Sequence, residues 1–354
     1  LTVTFAHLRP GHVLADGPEH CGLVRLADIG IAADPPPRTP AISLVPAHGP
    51  PSVARLGKGG AGHKFDHGHA LVLAGPMGRT GAARLAARGA LRIGAGLVTL
   101  AAPGSAMLEC AGQVTAIMLR RCDGAEDLAA LLEDRRISAL CLGPGLGTGA
   151  ATAQVRALVG AALSSGRATV LDADALTAFE AAPDMLFAQL HGACVLTPHG
   201  GEFARLFPDL SERLSARPEG GPAFSRADAV RLAAERAGCT ILLKGAVTAI
   251  GSPGDRVALH AGIGDRAAPW LATAGAGDVL SGIIAGLLAR GFRAEEAAPL
   301  AAWLHVEAAR GFGPGLIAED LPEALPQVLA SCLCATAPPR AGIASAEGSS
   351  RPST

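Results

Sequence analysis

The stretch Ala70–Ala102, "ALVLAGPMGRTGAARLAARGALRIGAGLVTLAA", decides the fold class. It opens on an unbroken apolar run (70–75) and passes through a glycine-rich turn. A helical pattern rich in Ala and Leu follows near 80–92, and a second apolar run closes it (96–102). An apolar run without polar alternation needs cover on both faces, and a helix between two such runs supplies it. Parallel strands require a crossover of this kind.

The same unit repeats outward along the chain. Further strand candidates are "ALCLG" (139–143), "ATVLDAD" (168–174), "ACVLTPH" (193–199) and "TILLKG" (240–245), with helices near 150–163 and 226–237. Strands alternating with helices predict an α/β fold with a mostly parallel central sheet and helices on both faces. In such sheets ligands bind beyond the carboxyl ends of the strands. Five of these strands finish in "AGPMGRTGA", "GPGLGTG", "DADAL", "TPHGGE" and "KGAVT", loaded with Gly, Asp, His and Lys. All five fall on one edge, which predicts one composite site.

Composition bounds the partners. The 354 residues carry a formal net charge of −1, which gives no general attraction to nucleic acid or anionic membrane. Tyr is absent and aromatics make up 3%, a poor supply of stacking surfaces for single-stranded nucleic acid. No apolar run reaches the roughly 18 residues of a membrane span. The eight cysteines form no C-x-x-C pair, and Cys110, Cys122, Cys141, Cys194 and Cys239 lie in or beside apolar segments, as buried reduced thiols do. A cytoplasmic protein is expected. Residues 1–33 read as strand-like pieces and 34–56 as a Pro-rich linker. The main body spans 57–333, and 334–354 is expected to be a disordered tail.

The segment "LATAGAGDVLSGIIAGLLARG", Leu271–Gly291, carries the most chemistry. Gly275 and Gly277 permit close backbone approach to a ligand, and the helix that follows offers unpaired N–H groups and a positive dipole end. Val279, Leu280, Ile283, Ile284, Leu287 and Leu288 make an apolar stripe and the opposite face is small, so the helix is buried on most sides. Asp278 in its first turn has two readings. One is an acid stabilised by the helix dipole. The other is a base that takes a hydroxyl proton while adjacent N–H groups hold the phosphoryl group under attack. The first leaves the surrounding glycines unexplained.

The other loops leave their alternatives open. Lys244 and Gly245 end a strand before a hairpin through "GSPGD", a place for an ammonium and N–H groups on a phosphate or simply for an exposed turn lysine. "GPGLGTG" (143–149) is a glycine loop but no Walker A, since no Gly-Lys-Ser/Thr follows. His199 is a ligand candidate or a structural histidine, and Glu202 a helix-start acid. Asp172 and Asp174 suit magnesium waters or helix caps equally. His63, His67 and His69 raise a zinc question but lack a fourth ligand.

Taken in order, "HKFDHGHALVLAG", "GAARLAARGALRIGAGLVTLA", "GPGLG", "DADAL", "LTPHGGEF", "LKGAVT" and "LATAGAGDVLSGIIAGLLARG" resemble the ADP/ATP-dependent NAD(P)H-hydrate dehydratases of the ribokinase-like superfamily over about 57–333. The resemblance implies a ribokinase-like fold and the dehydration of NADHX or NADPHX driven by a nucleotide phosphoanhydride. It makes Asp278 the base in contact with the hydrated ring. Ala82, Gly143 or Gly145, and His199 would line the substrate side. Lys244, Gly245, Ala246, Val247 and Thr248, with Gly275 and Gly277 at the helix start, would serve the nucleotide. Mg²⁺ with ADP or ATP is the implied cofactor set, ADP being usual for bacterial members, and homo-oligomers are common among relatives.

Residues 1–33 resemble the tail of the NAD(P)HX epimerase domain that precedes the dehydratase in bifunctional repair enzymes. The epimerase's nucleotide loop and catalytic acid are not in this sequence, so no epimerisation and some apolar exposure are expected, with a separate epimerase as partner. Two positions depart from the family: Lys64-Phe65 where Lys-Gly is usual, and Ala268-Pro269-Trp270 where Asn-Pro-Gly is usual. Trp270 is expected to crowd its loop. The competing functions are a ribokinase-like kinase of a small hydroxymethyl vitamin precursor and an inactive nucleotide-binding remnant.

Overall fold

The computed structural model describes residues 1–30, 42–59, 62–217 and 223–336. Its strands, in chain order, are β1 (Thr2–Phe5), β2 (Val24–Ala27), β3 (Ile42–Leu44), β4 (His69–Leu73), β5 (Leu97–Ala102), β6 (Met118–Arg121), β7 (Ile137–Leu142), β8 (Ala168–Leu171), β9 (Cys194–Leu196), β10 (Thr240–Leu243), β11 (Val247–Ser252) and β12 (Arg256–Ala261). β3 to β12 form one sheet in the order β3-β12-β11-β10-β9-β8-β7-β4-β5-β6. Every pairing in it is parallel except the two made by β11, the middle strand of the expected hairpin region. The fold is the mostly parallel α/β architecture that the alternation predicts.

Successive side chains of a strand face opposite sides of a sheet, and here both sides are covered. Ala70 and Val72 of β4 join an apolar core with Ile93, Ile283 and Leu287, while Leu71 and Leu73 join a second core with Leu158, Val159 and Phe203. The helices that matter for the site are α1 (Gly81–Arg92), α2 (Thr152–Ser164), α3 (Gly200–Leu206), α4 (Arg226–Ala237), α5 (Ala276–Ala289), α6 (Ala294–Phe312) and α7 (Asp320–Thr336). From Val279 to Ala289 every residue of α5 is buried. Cys110, Cys122, Cys141, Cys194 and Cys239 are buried free thiols. No helix among the described residues is long and apolar enough to cross a membrane.

Two edge strands carry no strong sequence signal. β6 reads "MLRR", and β3 lies inside the Pro-rich stretch expected to be a linker. Edge strands are short and polar because one side of their ladder faces solvent. The described part of the supposed linker, 42–56, is packed on the body rather than spaced from it. β3 pairs with β12, Val53 and Leu56 are buried, and Trp303 Nε1 donates to the Ala47 carbonyl at 3.1 Å. Residues 334–336 of the expected tail complete α7, and 337–354 lie outside the described residues. β1 and β2 pair with each other in parallel, and Val3, Phe5, Leu23 and Leu26 there are each about half exposed, in line with the expected apolar surface.

The helix α5 reaches its place by glycine contacts with α1. A Cβ on Gly282 would stand 2.0 Å from the Ala86 carbonyl oxygen, and one on Gly286 would stand 2.4 Å from the Ile93 side chain. Backbone meets backbone, so neither helix can withdraw without losing dense packing. Gly282→Ala should therefore destabilise the fold by about 1–3 kcal/mol. The check is a urea titration, with a lower midpoint at unchanged slope. A midpoint equal to the parent's would contradict this packing.

Candidate active site

Asp172 stands just past β8 and is 1% exposed. A carboxylate buried this deeply must be met by donors, because leaving it unpaired is prohibitive. Its Oδ1 accepts from Lys244 Nζ at 2.7 Å and from the Ala173 N–H at 2.9 Å, and its Oδ2 accepts from Ser281 Oγ at 2.6 Å. Those bonds tie the ends of β8 and β10 to α5. The Lys244 N–H donates to the Pro198 carbonyl at 2.9 Å, which adds the end of β9. Gly143 closes the group from β7: its φ is +126°, and a Cβ there would lie 1.7 Å from the Asp172 carbonyl oxygen. Only glycine allows that crossing. Asp174 joins as well, its Oδ2 accepting from the Gly147 N–H at 2.7 Å.

Asp278 lies in the first turn of α5, and no described residue hydrogen-bonds its carboxylate. Burial, then the charge of Asp172, pushes its pKa up to about 6, against the opposing pull of Lys244. Asp174 and Glu202 add to the rise. Burial works against the Lys244 charge too, but Asp172, Glu202 and Asp278 outweigh it and raise its pKa, so the ammonium persists. The N–H groups of Gly277 and Asp278 find no acceptor among the described residues. A Cβ on Gly277 would stand 3.5 Å from Lys244 Nζ, so the ammonium sits beside those N–H groups. Free N–H groups at a helix start next to an ammonium make an anion site, with a carboxylate beside it that titrates near neutrality.

A cleft of about 650 Å³ opens from this point. Lys244, Gly245, Ala246, Thr248, Gly277 and His305 are among its lining residues. Val247 is absent from the lining and instead begins β11 opposite Ala261. Gly275 supports the turn from behind: its φ is +89°, and a Cβ would meet Leu85 and Ala318 side chains at 2.8 Å. On the other side of Asp172, a Cβ on Gly145 would lie 3.7 Å from the Ala82 Cβ, so those two positions adjoin. His199 caps α3, its Nδ1 accepting from the Gly201 N–H at 3.0 Å, while its ring stays half exposed. Glu202 is the expected helix-start acid, accepting from the His199 N–H at 2.8 Å.

Several expectations change. Trp270 is 48% exposed and its side chain does not line the cleft, although Pro269 and Leu271 do, so it does not crowd the site. Phe65 stacks on His63 with ring centres 5.2 Å apart and meets the Arg136 guanidinium at 4.9 Å. That contact lies toward the amino ends of β4 and β7, the edge opposite the site. His63 caps its own turn and His69 bonds Thr99 Oγ1 at 2.8 Å, so the three histidines do not converge. Both Asp172 oxygens accept hydrogen bonds, which makes that residue a buried ion-pair partner of Lys244. Three contributors carry no sequence signal of their role: Ser281, His305, and Arg226, whose Nη2 donates to the Leu243 and Lys244 carbonyls at 3.1 and 2.9 Å.

A family model described as NAD(P)H-hydrate dehydratase matches residues 70–327. The bifunctional NAD(P)H-hydrate repair enzyme Nnr of Moorella thermoacetica is 37% identical over 351 residues, covering 93% of this chain and 62% of that protein. The enzyme of the same name from Mycobacterium leprae is 38% identical over 311 residues, covering 87% and 57%. The chain thus spans about three-fifths of the length of these curated relatives. Among solved structures, the ADP/ATP-dependent NAD(P)H-hydrate dehydratase from Bacillus subtilis, co-crystallized with ATP/Mg²⁺, has a TM-score of 0.64 at 26% identity and covers 79% of this chain and 96% of that one. A ribokinase-like superfamily protein from Enterococcus faecalis has a TM-score of 0.65 at 20% identity, with coverage of 82% and 96%, and supports the fold.

The raised pKa of Asp278 carries a cost in stability. Between the unfolded value near 4 and the folded value of about 6, the folded chain holds a proton that the unfolded chain has lost, so stability falls as pH rises through this window. Asp278→Asn should remove the penalty and stabilise the fold by on the order of 2 kcal/mol at pH 7.5, with the gain vanishing below about pH 4. Denaturation midpoints of both proteins across pH 4–8 check this. A pH-independent difference would contradict it.

Proposed function

The chain belongs to the NAD(P)H-hydrate dehydratase family, and on that footing we propose that it restores NADH and NADPH from their S-hydrates with ADP as phosphoryl donor. Hydroxide is a poor leaving group. The hydrate hydroxyl therefore attacks the terminal phosphorus of ADP, the bond to the bridging oxygen breaks, and AMP leaves. The C–O bond of the new phosphate ester then breaks, phosphate leaves, the adjacent ring carbon gives up a proton to solvent, and its C–H electron pair restores the double bond of the dihydropyridine ring. Asp278 takes the hydroxyl proton in the first step, and the N–H groups of Gly277 and Asp278 with the Lys244 ammonium receive the charge on the transferring group.

One observation carries this reading: Asp278, whose carboxylate has no described hydrogen-bond partner and a pKa of about 6, directly follows Gly277, which lines the cleft beside Lys244. A base with that pKa is ionised at neutral pH yet still takes a proton readily. Lys244, Gly245, Ala246 and Thr248, with Gly277, serve the nucleotide, Val247 carries their loop into β11, and Gly275 shapes the turn that presents Gly277. Ala82, Gly143, Gly145 and His199 border the substrate side. Mg²⁺ would arrive with the nucleotide, held by phosphate oxygens and water, and would offset phosphate charge. A homo-oligomer, an epimerase activity that supplies the S-hydrate, and a cytoplasmic setting complete the proposal.

NADH recovery followed at 340 nm from S-NADHX tests it, with ADP, ATP or no nucleotide. Recovery should require nucleotide, and kcat/KM should climb with pH through about 6 as Asp278 ionises. Asp278→Asn should lower kcat by about 10² or more while ADP still binds. A folded, ADP-binding chain that recovers no NADH with either nucleotide would overturn the reading.

A further inference from the structure

His305 lies on α6, twenty-seven residues beyond Asp278. It is 8% exposed and contributes to the lining of the cleft. Its Nε2 is 2.8 Å from the carbonyl oxygen of Ala276, the first residue of α5. A carbonyl only accepts, so Nε2 carries the proton. Burial, aided by the Lys244 charge and opposed by the Ala276 bond, lowers the histidine pKa to about 4, so the ring is neutral at physiological pH. One tautomer remains, and its Nδ1 holds a bare lone pair.

That lone pair has no donor among the described residues. Nor is Nδ1 among the sealed, unpartnered polar atoms, a group that does include Nε2 of the neighbouring His260. His305 lines the cleft, so the cleft is where a donor can reach it. Phosphate oxygens are acceptors and would face Nδ1 lone pair to lone pair. The anion site around Lys244 and Gly277 already provides for phosphate. Of the groups ADP offers, only a ribose hydroxyl or the exocyclic amine of the base can donate to Nδ1.

We propose that His305 is a positioning and recognition residue for the nucleotide, fixing the start of α5 through Nε2 and accepting a nucleoside donor at Nδ1. The proposal rests on the nucleotide reading of the cleft. It explains why a polar side chain sits on an otherwise apolar helix face, and it couples recognition of the nucleoside to the placement of Gly277 and Asp278. A hydrogen bond left unmade at a buried acceptor typically costs about tenfold in binding.

The test is calorimetric titration of the full chain with ADP and, separately, with inorganic pyrophosphate. His305→Gln keeps an amide donor near Ala276 but places nothing at Nδ1. Its affinity for ADP should fall about tenfold, with pyrophosphate binding changed less than about twofold. Equal losses for both ligands would reduce His305 to a prop for the helix, and unchanged ADP affinity would remove its role in recognition. Should the variant not fold, the parent chain decides with 2′-deoxy-ADP, 3′-deoxy-ADP and inosine diphosphate. One of the three should bind about tenfold more weakly than ADP, and all three binding like ADP would overturn the proposal. A parent that binds no ADP sinks the nucleotide reading itself, whereas a parent that binds ADP with an indifferent variant sinks this proposal alone.

Discussion

A single buried carboxylate, Asp172, holds the site together. Its pairing with Lys244 and Ser281 joins two strand ends to the start of the helix that carries Asp278. Breaking such a pair by removing one partner typically costs several kcal/mol, because the other is left charged and dry. The same charge keeps the Asp278 proton on at higher pH than usual. One residue therefore ties the loops together and, after burial, adds most to the basicity of the group beside them.

Packing delivers the helix to that carboxylate. With 46 glycines and few aromatics, the chain builds its interior from small and branched aliphatic residues. Gly282 and Gly286 bring the α5 backbone onto α1 at distances no side chain would permit. Close approach fixes the height of the α5 start above the sheet, and so the position of the Gly277 and Asp278 N–H groups. The Arg226 bonds to the Leu243 and Lys244 carbonyls brace the neighbouring turn in the same way. Function here depends on backbone placed by packing, with few side chains doing chemistry.

Much of this is legible in the sequence because the signals are local. β4, β7, β8, β9 and β10 are apolar runs, and each loop at their carboxyl ends advertises itself by composition. What escapes is long-range or weak. β6 carries two arginines and β3 sits among prolines, so neither resembles an interior strand. Ser281 reads as one more small residue on a packed face, although its hydroxyl completes the shell of Asp172. Asp172 itself reads equally as a carboxylate for magnesium waters or a helix cap, and only the structure shows Lys244, seventy-two residues away, meeting it. His305 is silent for the same reason: its partner is a backbone carbonyl, and no residue type announces that.

The account stands on Asp278 being a carboxylate held protonated to unusually high pH by burial and by Asp172. The most direct measurement is its pKa, from carboxyl ¹³C shifts of the intact protein across pH, in the parent and in Asp172→Asn. The account predicts a value of about 6 in the parent and a clear fall in the variant. A parent value near the ordinary carboxylate pKa of about 4 would contradict it, because the group at the helix start would then be a dipole-stabilised acid and no poised base.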